Sequence, residues 1–209
     1  MQLLNRIRGY IIRKRPRLFQ AYCVGAPKTG TTSISTMFKD SYHARHEPEP
    51  QKTNRLVIGY LKNEISRGDL AIMLKKRDKR LGIELESAHP LGYLAGGLAD
   101  TFPKSRFIVT IREPFAWLKS RLNFHSAVAP PQWQEYRDHF WAHDPSQFPP
   151  EEKPLQEAGL CPLNVYLGQY ADHYSRVFSE IPEQRRLTVK TRDIDDRVNE
   201  IASFVGANP

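Results

Sequence analysis

The sequence predicts an α/β domain of three layers, in which helices cover both faces of a central, mostly parallel sheet. Short apolar stretches typical of buried strands alternate along the chain with longer stretches of helical periodicity. Strands that alternate with helices pair in parallel through right-handed crossovers, and such a sheet is covered on both faces. The length of 209 residues suits one domain with a sizeable core.

Four strands are predicted, because four short segments are apolar and rich in β-branched or aromatic residues. They are LFQAYCVGA at 18–26, LGIELES at 81–87, RFIVTI at 106–111 and RLTVKT at 186–191. RFIVTI is the clearest of them, and Cys23 lies inside the first, where we expect it to be buried.

Helical periodicity separates these strands. The predicted helices span 31–40, 53–67, 69–80, a turn and helix at 89–100, 114–124, 164–181 and 195–205. Pro114 suits the first turn of its helix. The polar stretch HARHEPEPQK at 43–52 is predicted to be a loop, and the basic run KKRDKR at 75–80 a solvated helix end.

The segment 126–160 contains six prolines and several aromatic residues with weak periodicity. We interpret it as a long loop or lid with short helices inside a single domain of residues 18–209. Trp133, Tyr136, Phe140 and Trp141 lie there, either as a satellite hydrophobic cluster or as a surface that stacks on a sugar or aryl acceptor.

The charge of the chain is concentrated at its start. The formal net charge is +8, but residues 1–20 carry six basic residues and no acid, which leaves +2 for the rest. Residues 1–17 therefore form a basic arm, with isoleucine and leucine interleaved at roughly helical spacing. Such a helix either packs on the domain or lies on an anionic membrane surface. A nucleic-acid partner is not expected, because no aromatic platform accompanies the charge.

Two cysteines are too few for a disulfide framework, which favours a reducing compartment. No apolar run approaches the ~20 residues of a membrane span. We therefore expect a cytoplasmic protein, with peripheral membrane contact through residues 1–17 as an option.

The most informative stretch is GAPKTGTTS at 25–33, which follows the first strand and opens a helix. Free backbone N–H groups and the helix dipole make an anion site at such a junction. Gly25 and Gly30 permit tight turns, and Lys28 adds a cation. The order differs from the nucleoside-triphosphatase loop, G-x-x-x-x-G-K-[ST], because Lys28 precedes the second glycine.

The order P-K-T-G-T-T resembles the 5'-phosphosulfate loop of sulfotransferases that use 3'-phosphoadenosine 5'-phosphosulfate. The resemblance implies a P-loop-like fold, this nucleotide as donor, 3'-phosphoadenosine 5'-phosphate as product, and no metal. It assigns to the nucleotide the residues Pro27, Lys28, Thr29, Gly30, Thr31, Thr32 and Ser33.

A second motif of that family follows a later strand, where an arginine and then a serine hold the 3'-phosphate. Here RFIVTI leads into REPFAWLKS, so the resemblance assigns this role to Arg112 and Ser120. A guanidinium can fork onto phosphate oxygens. Arg121, Phe124 and His125 follow Ser120 and are expected to face the acceptor cleft. The resemblance spans about residues 19–206.

Two segments compete to supply the base that deprotonates the acceptor. Carbohydrate-type sulfotransferases carry a glutamate base soon after the loop helix, which matches Glu47, with Glu49 and His46 as alternatives nearby. Glu86-Ser87-Ala88-His89-Pro90-Leu91 resembles instead the Lys-Thr-His-Leu-Pro stretch of cytosolic sulfotransferases, with His89 at the catalytic histidine. A neutral histidine accepts a proton near pH 7 without tuning. Lys28 would neutralise charge that develops at the 5'-phosphate.

These residues predict transfer of a sulfuryl group to a hydroxyl of a carbohydrate, glycolipid or other small acceptor. The alternatives are a kinase acting on a nucleotide or small molecule, and a non-catalytic protein that binds a nucleotide or sulfated ligand. The family's basic loop over the nucleotide has no counterpart after the last predicted helix, so we expect either that 126–160 or KKRDKR replaces it or that the sequence stops short of it.

Overall fold

The fold is built on five parallel strands. The computed structural model describes residues 16–126, 130–144, 146 and 148–207. The strands are β1 (Ala21–Cys23), β2 (Ala44–His46), β3 (Leu85–Ser87), β4 (Arg106–Ile111) and β5 (Arg186–Lys190). They lie in the order β2-β3-β1-β4-β5, and every neighbouring pair is parallel.

Helices connect the strands. They are α1 (Thr31–Phe38), α2 (Pro50–Leu61), α3 (Arg67–Leu81), α4 (Ala95–Thr101), α5 (Pro114–His125), α6 (Gln134–Phe140), α7 (Lys153–Glu157), α8 (Leu163–Glu180) and α9 (Val198–Val205), with a 3-10 helix at His89–Leu94. Pro114 occupies the first turn of α5, and Glu113 caps it by accepting hydrogen bonds from the backbone N–H groups of Phe115 and Ala116.

Alternate residues of the central strands enter two separate cores. Tyr22 and Phe107 point to the face that α2, α3, α4 and α8 cover. Cys23 and Ile108 belong to the opposite face, against α1 and α9. This period of two is the signature of a sheet buried on both sides, and it confirms the predicted three-layer α/β architecture.

The strand β2 is missing from the four predicted strands, because residues 43–52 read as a polar loop. β2 has only three residues, Ala44, Arg45 and His46, and only Ala44 is buried. It pairs with β3 alone at the sheet edge. A strand so short, polar and half-exposed carries no alternation that a sequence pattern can show.

The prediction of a solvated end for α3 is wrong at Arg77. Both terminal nitrogens of Arg77 donate to the Glu86 carboxylate at 2.5 Å, and the two side chains are almost fully buried. Arg80 is paired with Glu49. The basic run KKRDKR therefore contributes a buried ion pair to the fold.

The segment 126–160 contains short helices, as expected. The segment packs against the rest of the domain, because three of its aromatic residues belong to the core on the α2–α8 face of the sheet: Tyr136, Phe140 and Trp141.

The basic arm lies almost entirely outside the described residues, which begin at Pro16. Its helical form and its contact with a membrane therefore stay predictions. Arg17 is the part of the arm that can be placed, and it forms an ion pair with Asp78 at 2.5 Å. None of the helices in the described ranges is long and apolar enough to cross a membrane.

Candidate active site

A cavity of about 570 Å³ lies at the carboxyl edge of the sheet. Every strand supplies a lining residue at or just after its last residue, as expected of a binding crevice in an open α/β sheet. From β1 to β5 these residues are Pro27, His46, His89, Arg112 and Thr191. The wall is completed by α5 and by the start of α6.

The loop between β1 and α1 is held by side chains from several other elements, each of which captures one of its backbone carbonyls. The bonds are Trp117 Nε1 to Pro27 O (2.8 Å), an Arg112 guanidinium nitrogen to Lys28 O (3.3 Å) and Thr191 Oγ1 to Thr29 O (2.7 Å). In addition, Ser87 Oγ donates to the carbonyl of Thr31, the first residue of α1, at 2.6 Å. Because these carbonyls already accept hydrogen bonds from neighbouring elements, the N–H groups of the loop are the polar groups that remain to bind a ligand.

Close packing explains the two glycines of this loop. A Cβ on Gly25 would lie 2.0 Å from Thr110 Oγ1, so no larger residue fits there. Gly30 has a φ of 101°, in the left-handed region that favours glycine. Lys28 adopts a φ of 69°, which is a strained conformation for a residue with a side chain.

The first turn of α1 presents uncapped donors to the cavity. Its first helical hydrogen bond runs from Ile34 N to Gly30 O, and no side chain caps the helix. The preceding N–H groups therefore have no helical partner and can bind an anion. His46 Nε2 lies 3.2 Å from the hydroxyls of both Thr31 and Thr32, which links β2 to this turn.

Glu47 and His89 form a hydrogen-bonded pair, with 2.8 Å between Glu47 Oε1 and His89 Nδ1. Because a carboxylate only accepts, the proton lies on Nδ1 and Nε2 keeps its lone pair. Nε2 is buried and has no hydrogen-bond partner within the described ranges. Glu47 has a φ of 45°, in the left-handed region, so its backbone is strained.

Burial lowers the pKa of His89 below its ordinary value, although the Glu47 carboxylate acts in the opposite direction. For Glu47, burial raises the pKa, but the hydrogen bond with His89 and the neighbouring positive charges outweigh burial and lower it overall. Both directions correspond to an ionised Glu47 beside a neutral His89 at pH 7.

Aromatic rings and arginines make the rest of the wall. His89 stacks on Trp133, with ring centroids 5.2 Å apart, and meets Tyr136 edge to face. Lys28 Nζ lies 4.9 Å from the centre of the Phe124 ring, a cation–π contact that keeps the ammonium group at the cavity. Arg121 is buried in the same wall.

The cavity brings together most of the residues that the sequence assigns to the site. They are Pro27, Lys28, Gly30, Thr31, Thr32, Glu47, His89, Arg112 and Ser120. Others lie elsewhere. Ser33 is exposed and does not line the cavity. The Thr29 hydroxyl donates to Ala26 O, and Glu49 is bound to Lys52 and Arg80.

Two polar residues that sequence reasoning missed also line the cavity. Thr191 follows β5 directly, and its position after a predicted strand is a signal that could have identified it. Arg137 lies in α6, within the proline-rich segment, where no pattern distinguishes it from a surface arginine. Its presence shows that 126–160, and none of residues 75–80, contributes cationic lining.

Comparison with known proteins identifies the fold and the family. No curated protein sequence matches the chain significantly. Among solved structures, a sulfotransferase from Alicyclobacillus acidocaldarius has a similar fold, with a TM-score of 0.50 at 15% identity over 93% of this chain and 82% of that one. The sequence profile of the family described as "Sulfotransferase domain" matches residues 20–207, which include all five strands and every residue named at the cavity. The chain therefore belongs to the sulfotransferase-domain family.

Proposed function

We propose that this protein transfers a sulfuryl group from 3'-phosphoadenosine 5'-phosphosulfate to a hydroxyl of a carbohydrate, glycolipid or other small acceptor. The main support for the proposal is that one cavity contains both an anion site and a candidate base. An uncapped helix start beside Lys28 suits a phosphate group, and a buried glutamate–histidine pair suits deprotonation of a hydroxyl.

The lining residues fit a nucleotide that carries phosphate at two positions. Lys28 and the first turn of α1 would hold the 5'-phosphate, with the hydroxyls of Thr31 and Thr32 as further donors. Arg112 and Ser120 would hold the 3'-phosphate from the end of β4 and from α5. When bound, the donor supplies the sulfuryl group, and 3'-phosphoadenosine 5'-phosphate is the leaving group.

His89 acts as the base in this proposal. Its Nε2 takes the proton from the acceptor O–H as the new O–S bond forms. Glu47 is the positioning residue, because it holds the proton on Nδ1 and stabilises the imidazolium that results. Glu47 and His89, the two candidate bases predicted from the sequence, then act together in one hydrogen-bonded pair.

Lys28 supplies the cation that the reaction needs. Negative charge develops on the phosphate oxygen from which the sulfuryl group departs, and a fixed ammonium group nearby stabilises that charge. The bonds that capture the loop carbonyls keep Lys28 in its strained backbone conformation, so little reorganisation is needed on binding.

The proposal is tested by transfer of labelled sulfate from the donor to a panel of sugars, glycolipids and phenols, with a chelator present. We expect product from the wild-type chain and a loss of at least about a hundredfold in His89→Asn, the typical share of a general base. Phosphoryl transfer from ATP with magnesium, and none of sulfate, would instead identify a kinase. No transfer of either group to any acceptor would favour a binding protein.

A further inference from the structure

Arg121 is a buried cation that makes no ion pair with a carboxylate in the described part of the chain, although its charge acts on Glu47 from beyond contact distance. Its exposed fraction is 4%, and its buried Nε has no hydrogen-bond partner among the residues that the structure describes. Its neighbours are rings, since the guanidinium carbon lies 4.8 Å from the Trp141 ring and 5.4 Å from that of Phe124. Burial lowers the pKa of Arg121 to about 10, so the group is cationic at pH 7.

Such an arrangement is unfavourable for stability. An arginine is almost never fully buried unless it is paired, because a charge that leaves water needs compensating partners. Ring contacts supply only part of that compensation. Because Arg121 lines the cavity, a ligand that enters the cavity can provide the missing anion.

The donor does not require this cation. In the proposed function, on which this inference rests, its phosphates are held by Lys28, Arg112 and the start of α1. Arg121 lines the same cavity as the base, and its charge lowers the pKa of both Glu47 and His89. Arg137 lines the same region and adds a second positive charge that acts on Arg121. The acceptor half of the cavity thus holds two arginines against the single carboxylate of Glu47.

We propose that Arg121 binds an anionic group of the acceptor, so that the substrate is a hydroxyl compound that also carries a carboxylate, sulfate or phosphate. The planar guanidinium can bind such a group through two parallel hydrogen bonds. Phe124, Trp133 and Tyr136 supply ring surfaces for the body of a sugar or aromatic acceptor. Acidic saccharides and hydroxylated aromatic acids meet this description.

The test uses two probes that differ in one group. Phenyl β-D-glucuronide carries a carboxylate where phenyl β-D-glucoside carries a hydroxymethyl group. Calorimetric titration of the full chain, saturated with 3'-phosphoadenosine 5'-phosphate, should show the glucuronide binding roughly tenfold to a hundredfold more tightly, the range for a charge-assisted bond. Arg121→Met should abolish this preference, and Arg121→Lys should retain part of it.

Arg67→Met is the matched control, because Arg67 is a surface arginine paired with Asp100 away from the cavity. It should leave the preference unchanged. Thermal unfolding gives a second readout: Arg121→Met should melt no earlier than the wild type, since it removes an uncompensated buried charge, whereas a structural arginine would lower the melting temperature.

Equal affinity for the two probes, binding of neither, or a preference that survives in Arg121→Met would overturn the inference. So would a loss of nucleotide affinity in Arg121→Met as large as that in Arg112→Ala, because Arg121 would then serve the donor. If 3'-phosphoadenosine 5'-phosphate does not bind the wild type, the proposed function is wrong. The glucuronide and glucoside titrations, repeated without nucleotide, then test the anion site independently of the proposed function.

Discussion

At the scale of single residues, the pair of Glu47 and His89 determines how the site should respond to pH. His89 must be neutral to accept a proton, so activity rises with pH through its pKa. Burial lowers that pKa, and therefore the acidic limb of the profile should lie below the ordinary value for histidine. The Glu47 carboxylate raises it, so removal of the carboxylate should move the limb further toward acid.

We predict that Glu47→Gln lowers kcat by roughly a hundredfold, within the range for acid–base assistance, and shifts the acidic limb of kcat/KM to lower pH. The profile is measured with the best acceptor from the panel. Glu49→Gln is the matched control, because Glu49 is bound to Lys52 and Arg80 and does not line the cavity. An unchanged rate and limb in Glu47→Gln would remove Glu47 from the reaction.

Prediction from sequence worked best for residues beside a distinctive local pattern. The glycines and lysine of 25–33 predict an anion loop because their order and place after a strand have a local physical meaning, and Lys28 and Gly30 do line the cavity. The pairing of Glu47 with His89 joins residues far apart in the chain, and only the sheet order β2-β3 brings them together. No local pattern carries that information.

At the scale of elements, the loop between β1 and α1 depends on donors from its neighbours. Thr191, directly after β5, donates to Thr29 O at 2.7 Å and lies 3.1 Å from Ile111 O. It therefore joins β5, β4 and the loop. A carbonyl that loses its donor in a buried place costs free energy, and the loop that carries it loses its preorganised shape.

We predict that Thr191→Val lowers the free energy of unfolding by about 1–3 kcal/mol, the cost of leaving a buried polar group unpaired. It should also weaken 3'-phosphoadenosine 5'-phosphate binding several-fold, because the bound loop geometry is no longer maintained. Chemical denaturation and calorimetry measure the two effects. Thr188→Val, at an exposed position of β5, is the control and should change neither. Unchanged affinity for 3'-phosphoadenosine 5'-phosphate in Thr191→Val would show that the loop does not depend on this hydrogen bond.

Element prediction succeeded where length and apolar character agree. RFIVTI was predicted with its observed bounds, because four consecutive residues of this central strand are buried. By contrast, β2 is short, polar and at the edge, and the helix expected at 53–67 begins at Pro50, where proline suits the first turn. Boundaries depend on such terminal contacts, which tertiary packing decides.

At the scale of the whole molecule, the parallel sheet is what assembles the site. All five carboxyl ends lie at one edge, so residues from position 27 to position 191 converge on a single cavity. The sequence predicted the three-layer class, since alternating strands and helices allow few other arrangements. It did not predict the strand order, and hence which segments meet, because that order depends on packing between distant residues.

The proposed donor site of this cavity binds a nucleotide with phosphates on both the 3' and the 5' oxygen of its ribose. Calorimetric titration of 3'-phosphoadenosine 5'-phosphate and of adenosine 5'-phosphate tests this binding most directly, because the two differ only in the 3'-phosphate. We expect the bisphosphate to bind at least about tenfold more tightly, as a charge-assisted contact allows. Arg112→Ala should remove most of that difference, Lys28→Ala should weaken both nucleotides, and Lys119→Ala, an exposed lysine of α5, should change neither. Equal affinity for the two nucleotides, or binding of neither by the wild-type chain, would contradict the account.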